Sequence, residues 1–94
     1  MTAPSRPQLG KGVKLRHDRD GGVMLLVPEG ALVLNPPAAM ALGLVDGKRT
    51  LSEIVDAVVE RFDVAPDRAA DDIGTLLDRL AERGFILPAA NEAS

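Results

Sequence analysis

Catalysis needs converging side chains, and this chain of 94 residues offers few. Its one histidine, His17, stands in "HDRD" beside Asp18 and Asp20. A metal site would need further converging ligands, and the stretch carries turn chemistry. An exposed histidine next to a hairpin turn is therefore the plainer reading. Asp71, Asp72 and Asp78 share one helical segment, but on a solvated helix face nothing tunes one carboxyl against another for acid–base work. Serine occurs only at Ser5, Ser52 and Ser94, none with a base partner at a recognisable spacing. The absence of cysteine removes disulfides, thiolate metal sites and a thiol nucleophile together. "DGG" and "PEG" are turns, since neither leads from a strand into a helix through Lys-Ser or Lys-Thr as a phosphate cradle does. The residues thus point to a protein without catalytic activity, cofactor or metal.

Composition narrows the classes further. A single domain is expected, with a folded part of roughly 80 residues that buries one modest core and is marginally stable. Apolar residues make up 46% and aromatics only 2%, namely Phe62 and Phe85, so the core must be aliphatic. The formal net charge of −3 weighs against nucleic acid, whose affinity comes from Lys and Arg neutralising phosphates, and against anionic membrane surfaces. "MTAPSRPQLGKG" lacks the apolar segment of a signal peptide, and no run approaches membrane-spanning length. A soluble cytoplasmic protein is the expectation.

The elements follow from punctuation and periodicity. Residues 1–12 read as a disordered tail or fusion linker, and residues 88–94 as a second disordered tail. Residues 13–87 form the domain. "VKLRH" (Val13–His17) alternates as a half-buried strand does. "DRDGG" turns the chain, Val23–Val27 is a second strand, and "PEG" leads into a third, Ala31–Leu34. Asn35 and Pro36 then open a helix. Thr50 and Glu53 form a capping box for the next, whose stripe is Leu51, Ile54, Val55, Val58 and Phe62. A third helix from Pro66 buries Ala69, Ile73, Leu76, Leu77 and Leu80 and ends at Gly84. "FIL" (Phe85–Leu87) either folds back over the core or adds a short strand. The fold class is α+β: a three-stranded antiparallel sheet followed by three helices (βββααα), winged helix-turn-helix-like.

Two binding readings remain. A winged-helix DNA-binding regulator would read the groove with the third helix, but that helix sets Asp67, Asp71, Asp72, Asp78 and Glu82 against Arg68, Arg79 and Arg83. The other reading starts from the third strand. "NPP" stops it abruptly, and its outer edge is an aggregation hazard unless something docks there. An extended peptide can add to such an edge as a further strand, its side chains seated against a neighbouring helix flank. Cover by the chain's own helix or by a second copy accounts for the spacing equally well.

The segments "LLVPEGALVLN", "LVDGKRTLSEIV" and "LAERGFI", in that order over Leu15 to Leu87, resemble the peptide chaperone family of pyrroloquinoline quinone biosynthesis. That family belongs to the recognition elements of ribosomally made, post-translationally modified peptides. The resemblance implies a non-catalytic chaperone, and a monomer is the expectation. It would bind the precursor peptide and present it to a radical S-adenosylmethionine enzyme that crosslinks a glutamate and a tyrosine of that peptide. It implies an antiparallel added strand between the third strand and the third helix. Carried onto this chain, the peptide-binding residues are Ala31, Leu32, Val33 and Leu34, with Ala69, Asp72, Ile73, Leu76 and Arg79. Some relatives are fused to the oxidase that finishes the quinone, which suits a linker-like N-terminus. The chain departs from the family by having Val23 and Val27 in the second strand, where relatives carry an aromatic.

Overall fold

The computed structural model describes residues 5–87. Eight elements follow in order: β1 (Gln8–Leu9), β2 (Lys14–His17), β3 (Val23–Val27), β4 (Gly30–Leu34), α1 (Pro36–Gly43), α2 (Leu51–Phe62), α3 (Pro66–Glu82) and β5 (Ile86–Leu87). The strands β2, β3 and β4 form an antiparallel meander in that order, so the expected α+β arrangement of three strands and then three helices is present. The expected third strand is β4, which begins one residue earlier, at Gly30.

The register sorts the side chains between two faces. Leu15, Leu25 and Leu32 stand in one cross-strand row, and His17, Val23 and Leu34 in another. Alternation puts both rows on the same face. Helix α1 lies over this face, touching β3 and β4. Leu25, Leu42, Ile54, Val58, Leu77 and Ile86 are buried almost completely, and no aromatic is among them.

Local chemistry fixes the helix ends. The Asn35 side chain accepts the Ala38 N–H at 2.9 Å and Pro36 occupies the first turn of α1. At α2 the Thr50 hydroxyl accepts the Glu53 N–H at 3.1 Å while the Glu53 carboxylate accepts the Thr50 N–H at 2.8 Å. Helix α3 starts at Pro66 with no side-chain cap. Beyond its end, Gly84 takes φ +80°, and the Phe85 N–H reaches the Leu80 carbonyl at 2.9 Å, returning the chain to the core. Both alternatives for "FIL" hold: Phe85 and Ile86 fold back into the core, and Ile86–Leu87 is a short strand. Among the described residues, no helix is long and apolar enough to cross a membrane.

The boundary drawn at residue 12 needs correction. Residues 5–12, expected as tail, are built into the domain. Pro7 is fully buried, and β1 pairs antiparallel with β5, Gln8 opposite Leu87 and Leu9 opposite Ile86. The segment also serves the α1–α2 turn. The Gly47 N–H reaches the Pro7 carbonyl at 2.8 Å, the Leu51 N–H reaches the Ser5 carbonyl at 2.9 Å, and the Arg6 guanidinium donates to the Lys48 carbonyl. A two-residue strand carries no readable period, and its partner lies almost 80 positions away, so Pro and Gly dominated the sequence pattern. Residues 1–4 and 88–94 fall outside the described part.

Two carboxylates stabilise turns here. The Arg49 and Lys48 backbone N–H groups, each 2.9 Å from the Asp46 carboxylate, hold its pKa below the ordinary carboxylate range, and the Arg49 guanidinium adds to this. The Thr50 N–H does the same for Glu53. A carboxyl whose pKa is lowered on folding contributes stability above its unfolded pKa and loses it as pH falls through the folded value. Urea unfolding at stepped pH should therefore show stability declining from about pH 4 downward, with a shallower decline in Asp46→Asn and Glu53→Gln. Leu77→Ala should cost about 2–5 kcal/mol in the same assay, since Leu77 is fully buried.

Candidate functional site

β4 is the outer strand of its sheet. β3 lies on one side, and no strand lies on the other among the described residues. Residues Gly30 to Val33 are exposed, with Val33 at 83% and Leu32 at 40%.

One hydrogen bond fixes which backbone groups of β4 are open. The Asp18 N–H donates to the Gly22 carbonyl at 2.8 Å. In the β2–β3 ladder this makes His17–Val23 a non-hydrogen-bonded pair and Arg16–Met24 a hydrogen-bonded one. Met24 and Leu26 thus direct their main-chain groups to β2, and Val23, Leu25 and Val27 direct theirs to β4. Their partners Leu34, Leu32 and Gly30 answer inward. The N–H and C=O groups of Ala31 and Val33 point outward, away from the sheet. The hairpin turn between the strands carries Pro28, which cannot take the positive φ that tight hairpin turns favour. Gly30 takes it instead, at +153°.

A trough opens at the exit of this edge strand. Asp72, Ile73 and Leu76 of α3 face Asn35, Pro37 and Ala38, where β4 passes into α1. Farther along, Ala69, Asp72 and Ile73 meet Pro37, Val58 and Val64 around an open, mainly apolar hollow, with Arg68 at its rim. Pro37, Asp72 and Ile73 line both parts, which adjoin each other. At the other end, Arg83 lies 3.8 Å from Glu29 in the β3–β4 turn. Helix α3 is therefore antiparallel to β4: its end lies near the strand's start, its middle near the strand's end.

The expected site residues sort as follows. Ala31, Leu32, Val33 and Leu34 form the edge strand, with Leu32 and Leu34 on the helix side. Ala69 and Ile73 are buried beneath the trough, and Leu76 is half-buried at its rim. Asp72 is exposed and paired with Arg68 at 3.8 Å. Arg79 is exposed and has no ion-pair partner among the described residues, whereas Arg83 already has Glu29. Asn35, Pro37 and Val64 also line the trough. In the sequence, Asn35 and the prolines after it read only as the opening of a helix, and Val64 carries no signal of its own. The missed signal was position: a helix cap directly after an edge strand must stand at that strand's exit.

Residues 22–86 match the family model described as "Coenzyme PQQ synthesis protein D (PqqD)". The "PqqA binding protein" of Azotobacter vinelandii is 38% identical over 81 residues, 85% of this chain and 87% of that one. The "Bifunctional coenzyme PQQ synthesis protein C/D" of Methylorubrum extorquens is 36% identical over 78 residues, which are 82% of this chain and 21% of the bifunctional protein. Among solved structures, the PqqD truncation of Methylobacterium extorquens PqqCD, described as a stand-alone recognition element for ribosomally synthesised and modified peptides, superposes with a TM-score of 0.77. It is 32% identical and covers 93% of this chain and 94% of its own. TbiB1, solved with the TbiA(beta) leader peptide, shares the fold at a TM-score of 0.72 and 23% identity, over 89% of this chain and 99% of its own.

The register has a consequence that needs no ligand. In a hydrogen-exchange experiment on the isolated protein, the amides of Leu32 and Leu34 should be protected. Those of Ala31 and Val33 should exchange at near-unfolded rates. Protection alternating the other way would place the wrong pair of amides at the edge.

Proposed function

The chain belongs to the PqqD family, and on that premise we propose that it binds the ribosomally made precursor peptide of pyrroloquinoline quinone as an added strand on β4. It then presents that peptide to a radical S-adenosylmethionine enzyme and does no chemistry itself. The observation that carries this reading is the outward set of N–H and C=O groups on Ala31 and Val33, with a trough over Ala69 and Ile73 opening at the strand's exit. An extended peptide satisfies those groups through its own main chain and seats alternate side chains in the trough.

The antiparallel addition that the family resemblance implies gives the bound peptide a direction. Running antiparallel to β4, it runs parallel to α3. Its N-terminal part then lies over the apolar hollow near Pro37 and Val64. Its C-terminal part approaches Arg79, whose free guanidinium suits an acidic side chain and would steer approach and fix register. Each main-chain bond contributes a net ~0.5–1.5 kcal/mol. Four of them with one or two apolar anchors reach micromolar affinity or tighter, on the order of −8 kcal/mol.

Titrating a ¹⁵N-labelled sample with the precursor peptide tests the reading. Shifts should concentrate in Gly30–Leu34 and along α3 from Ala69 to Arg79; no shifts, or shifts centred elsewhere, discard the site. Val33→Pro removes one outward N–H and leaves the β3–β4 ladder intact. It should weaken peptide binding about tenfold, equivalent to ~1.4 kcal/mol, with little change in the urea midpoint.

A further inference from the structure

The far side of the sheet has the wrong composition for a solvated surface. An antiparallel sheet packed on one face ordinarily alternates apolar-in and polar-out. Here β3 reads Val23-Met24-Leu25-Leu26-Val27 without a polar residue, the pattern of a strand covered on both sides. Among the described residues, helices cover only the face bearing Val23, Leu25 and Val27.

The register assembles the other face from two cross-strand rows. One row is Arg16, Met24 and Val33; the next is Lys14, Leu26 and Ala31. Four apolar side chains form a contiguous block, and the two polar positions are both cations, side by side on β2. Met24 and Leu26 are half-buried yet stand outside the hydrophobic core. Val33 is 83% exposed. No carboxylate stands in either row. Arg16 lies 3.4 Å from Asp18 just past the end of β2, and Lys14 has no ion-pair partner among the described residues.

We propose that this outer face is the docking surface for the enzyme that modifies the peptide. The partner surface has an apolar centre and carboxylates along the side that meets Lys14 and Arg16. The proposal rests on the peptide-binding reading above, and two observations favour this occupant. First, the block runs without interruption to the open edge, through Ala31 and Val33. A strand added there would extend the same face with its own outward side chains, so a protein seated on it touches chaperone and peptide together. Second, the charge is one-sided. Two copies packed face to face would either stack the cationic borders on each other or lay β2 of one copy across the edge strand of the other. Exclusion of charge from the centre with ionic groups at the border is the usual anatomy of a protein–protein contact.

The test measures two affinities by titration calorimetry: for the precursor peptide, and for the pathway's purified radical S-adenosylmethionine enzyme, with and without peptide. Lys14→Glu/Arg16→Glu reverses the border at exposed positions and should leave the fold intact. Met24→Ser probes the centre. Each variant should bind the enzyme at least tenfold more weakly while its peptide affinity stays within twofold of the parent. Added salt should weaken the parent's enzyme binding more than that of the charge-reversed variant. The proposal is overturned if the parent does not bind the enzyme, if both variants bind it as the parent does, or if peptide affinity falls in step with enzyme affinity. It is also overturned if the parent sediments as a dimer that Met24→Ser dissociates. Failure of the peptide-binding reading is separately visible, as absence of peptide binding by the parent.

Discussion

The junction Asn35–Pro36–Pro37 is the constraint on which the rest of the architecture depends. Proline lacks an N–H and fixes φ near −65°, so two prolines in succession end β4 at Leu34 and start α1 at once. The Asn35 side chain takes up an otherwise unpartnered amide of the new helix, that of Ala38. The chain therefore leaves the sheet sharply. Helix α1 lies on the inner face, and α3 packs beside the edge without covering it. A looser connection would let the chain run on past Leu34 and fill the space that the trough occupies. Pro37 is itself part of the trough wall, so the residues that stop the strand also shape the depression at its exit.

A domain with so aliphatic a core holds this geometry by tying its ends. Large aromatics bury the most area per side chain, yet of the two only Phe85 is buried in the core. The pairing of β1 with β5, the buried Pro7 and the bonds from Ser5 and Pro7 to the α1–α2 turn add long-range constraints. Gly10 shows how closely they fit: a Cβ there would lie 2.5 Å from the Gly84 carbonyl oxygen. These contacts lie in the β1–β5 segment and the α1–α2 turn, apart from β4. The edge strand can stay open while the core under it is held from elsewhere.

How much of this was legible in the sequence depended on the range of the interaction. Thr50 and Glu53, Asn35 and Pro36, and Gly84 act over three or four positions, and each was readable where it stands. The meander was readable because "DRDGG" and "PEG" are local turns between apolar runs. The β1–β5 pair was not, because neither strand is long enough to show alternation and each needs the other to exist. At the site, the strand and the α3 stripe came from periodicity. The presence of Pro37 and Val64 in the trough came from tertiary packing, which no local pattern encodes. The outward direction of Ala31 and Val33 lay in between. It follows from strand alternation once a single pair is known, and that pair is set by the turn at Asp18–Gly22.

An open edge suits a protein that must hold a peptide without altering it. Main-chain bonds are indifferent to the side chains of the ligand, so most of the attraction at Ala31 and Val33 can be kept whatever residues the peptide presents. On the proposed reading, discrimination falls to the trough and to Arg79, which would read side chains on the helix side only. The peptide's other side chains would then project to the opposite face, level with Met24, Leu26 and Val33, and would not be gripped by this chain. On the proposed reading, that division separates capture from chemistry: one face of the bound strand is used for recognition, and the other remains accessible to an enzyme. Closing the edge with a fourth strand of the chain's own would make the sheet more stable and remove both capabilities at once.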